Sequence, residues 1–312
     1  MFRKPGHVSA KLSSLRGPGS GVPTSLITNR HLAGTYVGDS VVTLSSGAAA
    51  ATFYDDIVTA GFSTNLKIVL DAGAADSYTS GQKWLDISGN GYDFFRGVSD
   101  SAASDDPTHN GTAGGLSDAE YFSFDGGDHF VYDSTNESWM NDMHKDNAAW
   151  TMCIWMYRTT DSDNAFACTS SAHPNAGINW YQDGAVPGNT NLSVTTGSGY
   201  ALGQTTRSAA GMSLDEWQLI SLSLNEAPGS GGVILQVDDA GGTTSNTFDS
   251  TYSSPSTGAG TQQFQLGAFY SGPSVRMKSG GRFGGFFVWG GTALSSANIT
   301  AVFNATKARW GL

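Results

Sequence analysis

A short stretch of the chain carries the kinds of side chain that proteins use to hold sugars. Between residues 175 and 191 lie Asn179, Trp180, Tyr181 and Asp183. An aromatic face can stack on the C–H groups of a sugar ring, while amide and carboxylate groups bind its hydroxyls. These residues therefore predict a glycan-binding loop. A second interpretation stays open, because Trp180 can equally be a core residue of a β-strand.

Aspartates in turns offer a different chemistry, the binding of calcium. Asp125 and Asp128 flank two glycines, and Asp238 stands at the end of an apolar run. Carboxylate oxygens are ligands that Ca²⁺ prefers. These three residues are the candidate calcium ligands, and no other cofactor is expected. The alternative is that such aspartates accept hydrogen bonds from backbone amides and stabilise turns.

Common catalytic signatures are missing from the sequence. It has no Gly-x-Ser-x-Gly elbow, no Walker A phosphate loop and no His-Glu-x-x-His zinc motif. Glycosidases need two carboxyl groups across a cleft. The four glutamates are scattered, at Glu120, Glu137, Glu216 and Glu226. A pair of aspartates could still supply the two groups, so a glycosidase stays an alternative, but we expect a protein without enzymatic activity.

The charge of the chain is unevenly distributed. The first 38 residues contain no acidic residue and five basic ones, Arg3, Lys4, Lys11, Arg16 and Arg30. Since the net charge is −11, this segment of +5 leaves −16 on the remainder. An acidic body disfavours nucleic acid, whose phosphates need clustered Lys and Arg. The basic segment is predicted to dock on an acidic partner surface, including a second copy of the chain. The alternative is a solvated terminus.

Composition divides the chain into three parts. Residues 1–38 hold three prolines and six glycines without regular periodicity, which predicts an extended arm. Residues 39–64 are interpreted as a connector that packs against another part of the chain. Residues 65–312 contain short β-type runs. Charged residues make up only 14%, which excludes a coiled coil. No apolar run approaches the ~18 residues of a membrane span.

The N-terminus and the cysteines bear on the compartment. Polar residues after Arg3 and Lys4 interrupt any apolar core of a secretion signal. A hairpin turn near Thr160 would place Cys153 and Cys168 on paired strands and permit a disulfide. Two reduced core thiols are the favoured interpretation, because nothing in the sequence indicates an oxidising compartment.

The elements that must position these residues are mostly strands. Runs rich in β-branched and aromatic residues recur between Gly, Asn, Asp and Ser clusters, which is typical of an all-β protein. Ten strands are predicted, at 66–70, 121–124, 129–132, 150–157, 177–181, 192–195, 217–224, 233–237, 264–269 and 283–289. In the run 217–224, Ile220 and Leu222 share one face while Ser221 and Ser223 share the other. The run 150–157 is apolar on both faces, as in a central strand covered twice.

One helix is predicted at residues 295–304. Ile299, Val302 and Phe303 recur at helical spacing, and Ser295 can cap the first turn. We expect the apolar side of this helix to pack against the sandwich and to close one end of its core.

A series of short motifs runs through residues 65–312. They are Leu70-Asp-Ala-Gly73, Trp84-Leu-Asp-Ile-Ser-Gly-Asn-Gly91, Phe122-Ser-Phe-Asp-Gly126, Trp150-Thr-Met-Cys-Ile-Trp155, Glu216-Trp217, Val237-Asp238, and the closing segment from Phe283 to Thr300 and from Phe303 to Leu312. Their order and spacing resemble the concanavalin A-like, laminin-G-like jelly roll, in the form common in proteins of tailed phages and in bacterial surface proteins. The closing segment resembles the phage form most closely.

The resemblance implies an all-β fold, a concanavalin A-like jelly-roll sandwich with one short C-terminal helix and an extended N-terminal arm. It implies a non-enzymatic structural protein of the phage virion, a tail, fibre or capsid decoration component assembled in the host cytoplasm. The arm would bind other virion proteins or further copies of the chain in a homo-oligomer, and the jelly roll would contact host surface glycans.

Two further properties come with the family. Related domains often bind Ca²⁺ near their ligand rim. Laminarinase-like members carry a catalytic Glu-x-Asp-x-x-Glu motif, which this sequence lacks. Two alternatives to the virion protein stay open: a bacterial carbohydrate-binding or adhesion module, and a jelly-roll glycosidase.

Overall fold

The computed structural model describes residues 51–312, except 173–174, 183, 185–189, 196–199, 208–210, 228–231, 250–255 and 270–274. The expected arm, residues 39–50 of the expected connector and Asp183 lie outside the described residues. The strands are β1 Leu66–Asp71, β2 Lys83–Trp84, β3 Phe94–Arg96, β4 Thr108–Asn110, β5 Tyr121–Ser123, β6 Phe130–Tyr132, β7 Ala149–Tyr157, β8 Asn164–Cys168, β9 Gly177–Gln182, β10 Thr190–Thr195, β11 Tyr200–Arg207, β12 Trp217–Asn225, β13 Val233–Asp239, β14 Gly242–Phe248, β15 Gln265–Leu266, β16 Ala268–Phe269, β17 Val275–Arg276 and β18 Arg282–Gly290. The helices are α1 Phe53–Thr59, α2 Ser138–Asp142, α3 Ser296–Thr306 and a 3₁₀-helix, Lys307–Trp310.

Two eight-stranded antiparallel sheets form the body. Sheet A has the order β14-β13-β12-β7-β18-β5-β4, and β1 also pairs with β18. Sheet B has the order β11-β10-β9-β8-β15-β6-β3-β2. The two sheets pack face to face as expected of a β-sandwich. The all-β jelly-roll fold class that the sequence predicts is therefore confirmed.

The first core lies between the sheets, and its strands alternate as the sequence predicts. Ile220 and Leu222 of β12 point into this core, next to Met152 and Ile154 of β7. Ser221 and Ser223 point to the other face, where Ser221 Oγ lies 3.2 Å from the sulfur of Cys153. The period of two along a strand produces this separation.

A second core covers the outer face of sheet A. Trp155 of β7 contributes to it, so β7 is buried on both faces as predicted. Helix α3 packs there through Ile299, Val302 and Phe303. The Phe303 ring stacks on Trp155 with centroids 5.6 Å apart. The predicted helix is confirmed, but it covers a face of the sandwich and does not close an end of the core.

Two short helices have no counterpart in the sequence prediction. Helix α1 begins after Thr52, whose hydroxyl accepts from the Asp55 amide while the Asp55 carboxylate accepts from the Thr52 amide, a capping box. Its Phe53 and Ile57 are buried in the second core. Helix α2 buries Met140 in the first core. Among the described residues, no helix is long and apolar enough to cross a membrane.

Cys153 and Cys168 are both buried, and neither forms a disulfide. The open possibility of a disulfide is wrong, because β7 and β8 belong to different sheets and do not form the hairpin that a disulfide would need. Burial raises the pKa of the Cys153 thiol to about 12. The two cysteines therefore act as small core residues.

Candidate functional site

The predicted glycan-binding residues lie on β9, in the middle of sheet B. Trp180 is only 1% exposed and packs edge-to-face against Phe166 in the first core, with ring centroids 5.3 Å apart. Its faces are therefore not available to a sugar, and the core interpretation of Trp180 is correct. Asn179 and Tyr181 point to the opposite face and are also buried. The described residues between 175 and 190 bring together no exposed aromatic platform.

The candidate calcium ligands lie in two separate places. Asp128 accepts from the Asp125 amide at 2.7 Å, and Asp125 accepts from the Gly127 amide at 2.7 Å. Burial raises the pKa of Asp128 to about 6. Asp238 is buried under α3 and accepts from Gln236 Nε2 at 2.8 Å. Within the described ranges, no three His, Cys, Asp or Glu side chains are grouped so that they could hold a metal ion.

A cleft of about 530 Å³ lies where α2, the loop after it and the ends of β1 and β18 meet. We call it the indole cleft. Its lining includes two lysines, two aspartates, one asparagine and two tryptophans: Lys67, Lys145, Asp142, Asp146, Asn147, Trp139 and Trp150. Trp150 belongs to the first core, whereas Trp139 is half-buried and borders the cleft. None of these residues is a site residue predicted from the sequence.

The indole of Trp139 is held in a fixed position. A Cβ at position 290 would lie 2.9 Å from Cε3 of Trp139, so Gly290 leaves the space in which the ring packs against β18. On another side, Tyr92 packs at a centroid distance of 5.6 Å. The buried Nε1 of Trp139 has no hydrogen-bond partner in the part of the chain that the structure describes. A buried donor without an acceptor is costly.

Polar groups surround the indole. Lys145 Nζ lies 3.0 Å from Asp142 Oδ1. The loop that follows is fastened to the end of β12, because the Asn147 amide donates to Glu226 Oε2 at 2.8 Å. Lys67 makes no ion pair to any described residue. The indole cleft thus combines an aromatic surface with charged and amide groups on a supported loop.

The sequence contains a weak signal for this cleft. Trp139 lies in a polar stretch that also contains Asp142, Lys145, Asp146 and Asn147. Nothing in that stretch shows that Lys67 and Gly290, which are distant along the chain, come to the same place. Their position depends on the pairing of β1 with β18.

Comparison with known proteins gives a likeness in structure alone. No family model and no curated protein sequence matches the chain. Domain 4 of AbnA, an extracellular arabinanase of Geobacillus stearothermophilus solved with arabinotriose, superposes with a TM-score of 0.50 at 13% identity, over 76% of this chain and 97% of that domain. The Trypanosoma rangeli sialidase in complex with sialic acid gives a TM-score of 0.50 at 11% identity, over 79% of this chain and 34% of the sialidase.

The binding domain of botulinum neurotoxin serotype D gives a TM-score of 0.45 at 11% identity, over 78% of this chain. The match covers about half of that domain, 52% of its length. At 11–13% identity, the likeness to the arabinanase domain and to the sialidase shows the sandwich fold and no more. The resemblance to the phage and laminin-G-like forms stays a prediction from the sequence.

Proposed function

We propose that this chain is a non-enzymatic binding protein whose jelly roll holds a carbohydrate in the indole cleft. The observation that carries the proposal is the fixed, half-buried indole of Trp139 inside a cleft of about 530 Å³. Ligand pockets of roughly 300–1,000 Å³ are typical of small-molecule sites. The cleft is therefore large enough for one or more sugar rings.

The chemistry of the lining favours a sugar over an apolar ligand. An indole surface suits the C–H groups of a pyranose or furanose ring. Asp142, Asp146 and Asn147 supply acceptors and an amide donor for hydroxyl groups, and Lys67 supplies further donors. The similar arabinanase domain was solved with arabinotriose, which adds support from a protein of the same fold.

The test is binding to a glycan array by a multimer of the protein, because multivalency raises the avidity of weak single sites by orders of magnitude. We expect Trp139→Ala to lose at least ten-fold in signal and Trp139→Phe to keep part of it. Val98→Ala, an exposed residue outside the cleft lining, is the matched control and should bind as the unchanged protein does. Loss of signal in Val98→Ala would contradict the proposal. A Trp139→Ala variant that binds as well as the unchanged protein would also contradict it.

The absence of catalysis is part of the proposal and has its own readout. A polysaccharide retained on the array is incubated with the protein, and new reducing ends are measured. We expect none. Release of reducing ends would favour the alternative of a jelly-roll glycosidase, with carboxyl groups of the cleft as the first candidates.

We also propose the virion role that the sequence favours. Its support is the basic segment with Arg3, Lys4, Lys11, Arg16 and Arg30 ahead of an acidic body, together with the phage-like closing segment. The basic segment would bind an acidic surface of the particle or of another copy. Deletion of residues 1–38 should then abolish incorporation into particles, measured by mass spectrometry with copy number. Normal incorporation would favour the alternative, a bacterial adhesion module.

A further inference from the structure

A second surface, on the outer face of sheet A, has the features of a recognition site. Arg282 of β18 lies between two tyrosine rings, with its guanidinium carbon 4.3 Å from the centroid of Tyr157 and 4.7 Å from that of Tyr121. Trp217 of β12 packs edge-to-face with both tyrosines, at centroid distances of 5.9 and 6.0 Å. We call these four residues the arginine platform. All four are half-buried.

The platform is rigid because the sheet and the end of the chain support it. Trp217 pairs with Tyr157 across β12 and β7, and Tyr157 pairs with Arg282 across β7 and β18. Behind Trp217, the ring of Trp310 stacks at a centroid distance of 3.7 Å. A Cβ at position 284 would lie 2.3 Å from Trp310, so Gly284 makes room for this stack. The side chains are thus positioned before any ligand arrives, which lowers the entropic cost of binding.

The guanidinium of Arg282 has unused donors. Among the described residues, no carboxylate forms an ion pair with Arg282 and no acceptor takes a hydrogen bond from its guanidinium. Four other arginine side chains, in contrast, each form a hydrogen bond with a protein group: Arg96, Arg158, Arg276 and Arg309. Stacking between two rings covers the faces of the guanidinium and leaves its N–H edges free. Those edges form the fork that binds a carboxylate with two parallel hydrogen bonds.

We propose that the arginine platform binds the carboxylate of an acidic sugar, such as a uronate or a sialate, within a polysaccharide. The exposed aromatic surface beside the guanidinium would contact the ring that carries the carboxylate. The platform is a different surface from the indole cleft, and the proposal deepens the carbohydrate-binding function by assigning a class of ligand.

Two observations favour a sugar over a peptide. The platform lies in the interior of a sheet, so the backbone groups of β5, β7, β12 and β18 are already engaged with neighbouring strands. A bound peptide normally gains main-chain hydrogen bonds from a sheet edge, and none is offered here. The second is charge: the chain has a net charge of −11 and repels an anion that binds by charge alone, so an acidic ligand needs the ring contacts that the platform supplies.

The experiment is affinity electrophoresis of the full chain in gels that contain polygalacturonate, alginate or polysialic acid, with dextran as the neutral reference. We expect retardation by at least one acidic polymer, weakened by salt, and none by dextran. Fully methyl-esterified polygalacturonate removes the charge and keeps the ring, and it should not retard the protein. Migration in every acidic gel equal to that in dextran overturns the proposal.

Variants assign any retardation to the platform. Arg282→Gln should abolish it, and Arg282→Lys should weaken the apparent affinity at least ten-fold, because an ammonium lacks the fork. Tyr157→Phe keeps the ring and should retain binding. Lys278→Gln removes the same charge from the turn before β18 and should bind within two-fold of the unchanged protein. Equal loss in Lys278→Gln and Arg282→Gln would mean a non-specific charge effect and would overturn the proposal.

The proposals for the indole cleft and for the arginine platform can be tested separately. Trp139→Ala should lose array binding at the cleft and keep retardation by the acidic polymer, whereas Arg282→Gln should do the reverse. Circular dichroism checks that Trp139→Ala is folded. If the folded variant is no longer retarded by the acidic polymer, the polymer binds in the indole cleft, and the proposal for the arginine platform is contradicted.

Discussion

Both terminal nitrogens of the Arg309 guanidinium donate hydrogen bonds to the buried carboxylate of Asp71, and this contact connects the 3₁₀-helix to the end of β1. The same carboxylate accepts from the amides of Phe53 and Gly73, each at 2.9 Å. Arg309 also lies over the ring of Phe53, 3.6 Å from its centroid. One buried ion pair thus joins a helix, a strand and the closing segment.

Removing the cation of this pair should destabilise the protein strongly. Arg309→Met leaves Asp71 charged and buried without its partner, which costs about 3–5 kcal/mol in comparable buried pairs. Urea unfolding measures the difference. Adding Asp71→Asn should recover part of the loss, since the double variant buries no charge.

A matched control for Arg309→Met is the partly exposed pair of Lys83 with Asp133, at 2.7 Å. Lys83→Met should cost less than about 1 kcal/mol, as exposed ion pairs do. If the Arg309 and Lys83 variants lose the same free energy of unfolding, the buried pair does not have the role described above.

The contact between α3 and sheet A should contribute much of the stability of the second core. Phe303 is 5% exposed and stacks on Trp155. Phe303→Ala should lower the free energy of unfolding by about 3–5 kcal/mol, the range for truncating a buried phenylalanine. Asn304→Ala, at the next and exposed position, should change it by less than about 0.5 kcal/mol. If the two variants have the same melting temperature, α3 is peripheral to the fold.

His129 should make the fold sensitive to acid. Burial, together with the Arg276 guanidinium 3.3 Å from Nδ1, lowers the pKa of His129 to about 4. An unfolded histidine titrates near 6.5, so the unfolded state gains a proton first and the stability that neutral His129 supplies is lost as the pH falls from 6.5 to 4. The loss approaches about 3 kcal/mol for a shift of this size.

Asp128 acts in the opposite direction over nearly the same range. Its pKa is raised to about 6, so the folded state holds a proton that the unfolded state does not, and acidification from pH 6 to 4 favours folding. The variant His129→Gln isolates the histidine: its stability relative to the unchanged protein should rise as the pH is lowered from 7 to 4. A difference between the two proteins that does not change with pH would contradict this.

Calcium should have little effect on stability if the aspartates act as described. Oδ2 of Asp128 accepts from the Asp125 amide, and both carboxylate oxygens of Asp238 accept from side-chain donors. We expect the melting temperature to be the same in excess EDTA and in millimolar CaCl₂. A rise with calcium that Asp128→Asn removes would instead support the calcium site predicted from the sequence.

The sequence predicts the buried strands well, because burial on a pleated surface imposes a period of two. Nine of the ten predicted strands each overlap one observed strand, and the predicted strand 264–269 is divided into two short strands, β15 and β16. Strand β14, Gly242–Phe248, escapes prediction because it lacks that pattern: it is a polar strand at the edge of sheet A and is largely exposed. Helix α1 does have a local signal, the Thr52 and Asp55 capping box, which the apparent connector character of the segment obscured.

The sites are harder to predict because exposure depends on tertiary packing. Trp180 and Trp139 both stand among polar residues. Trp180 is buried because β9 lies inside sheet B, while Trp139 borders a cleft because Gly290 admits its ring beside β18. Arg282 and Trp217 come together only through strand pairing across β7. Local sequence carries no record of these long-range pairings.

The central position of β18 has a consequence for synthesis of the protein. β18 pairs with β1, β5 and β7, all of which leave the ribosome before it. At translation rates of ~5–20 residues per second, β7 waits on the order of ten seconds for this partner. During that time the edge of β7 that pairs with β18 has no partner strand, and unpaired strand edges expose nascent chains to aggregation. The newly made chain should therefore be a client of chaperones that hold unfinished β-sheets until the last strand arrives.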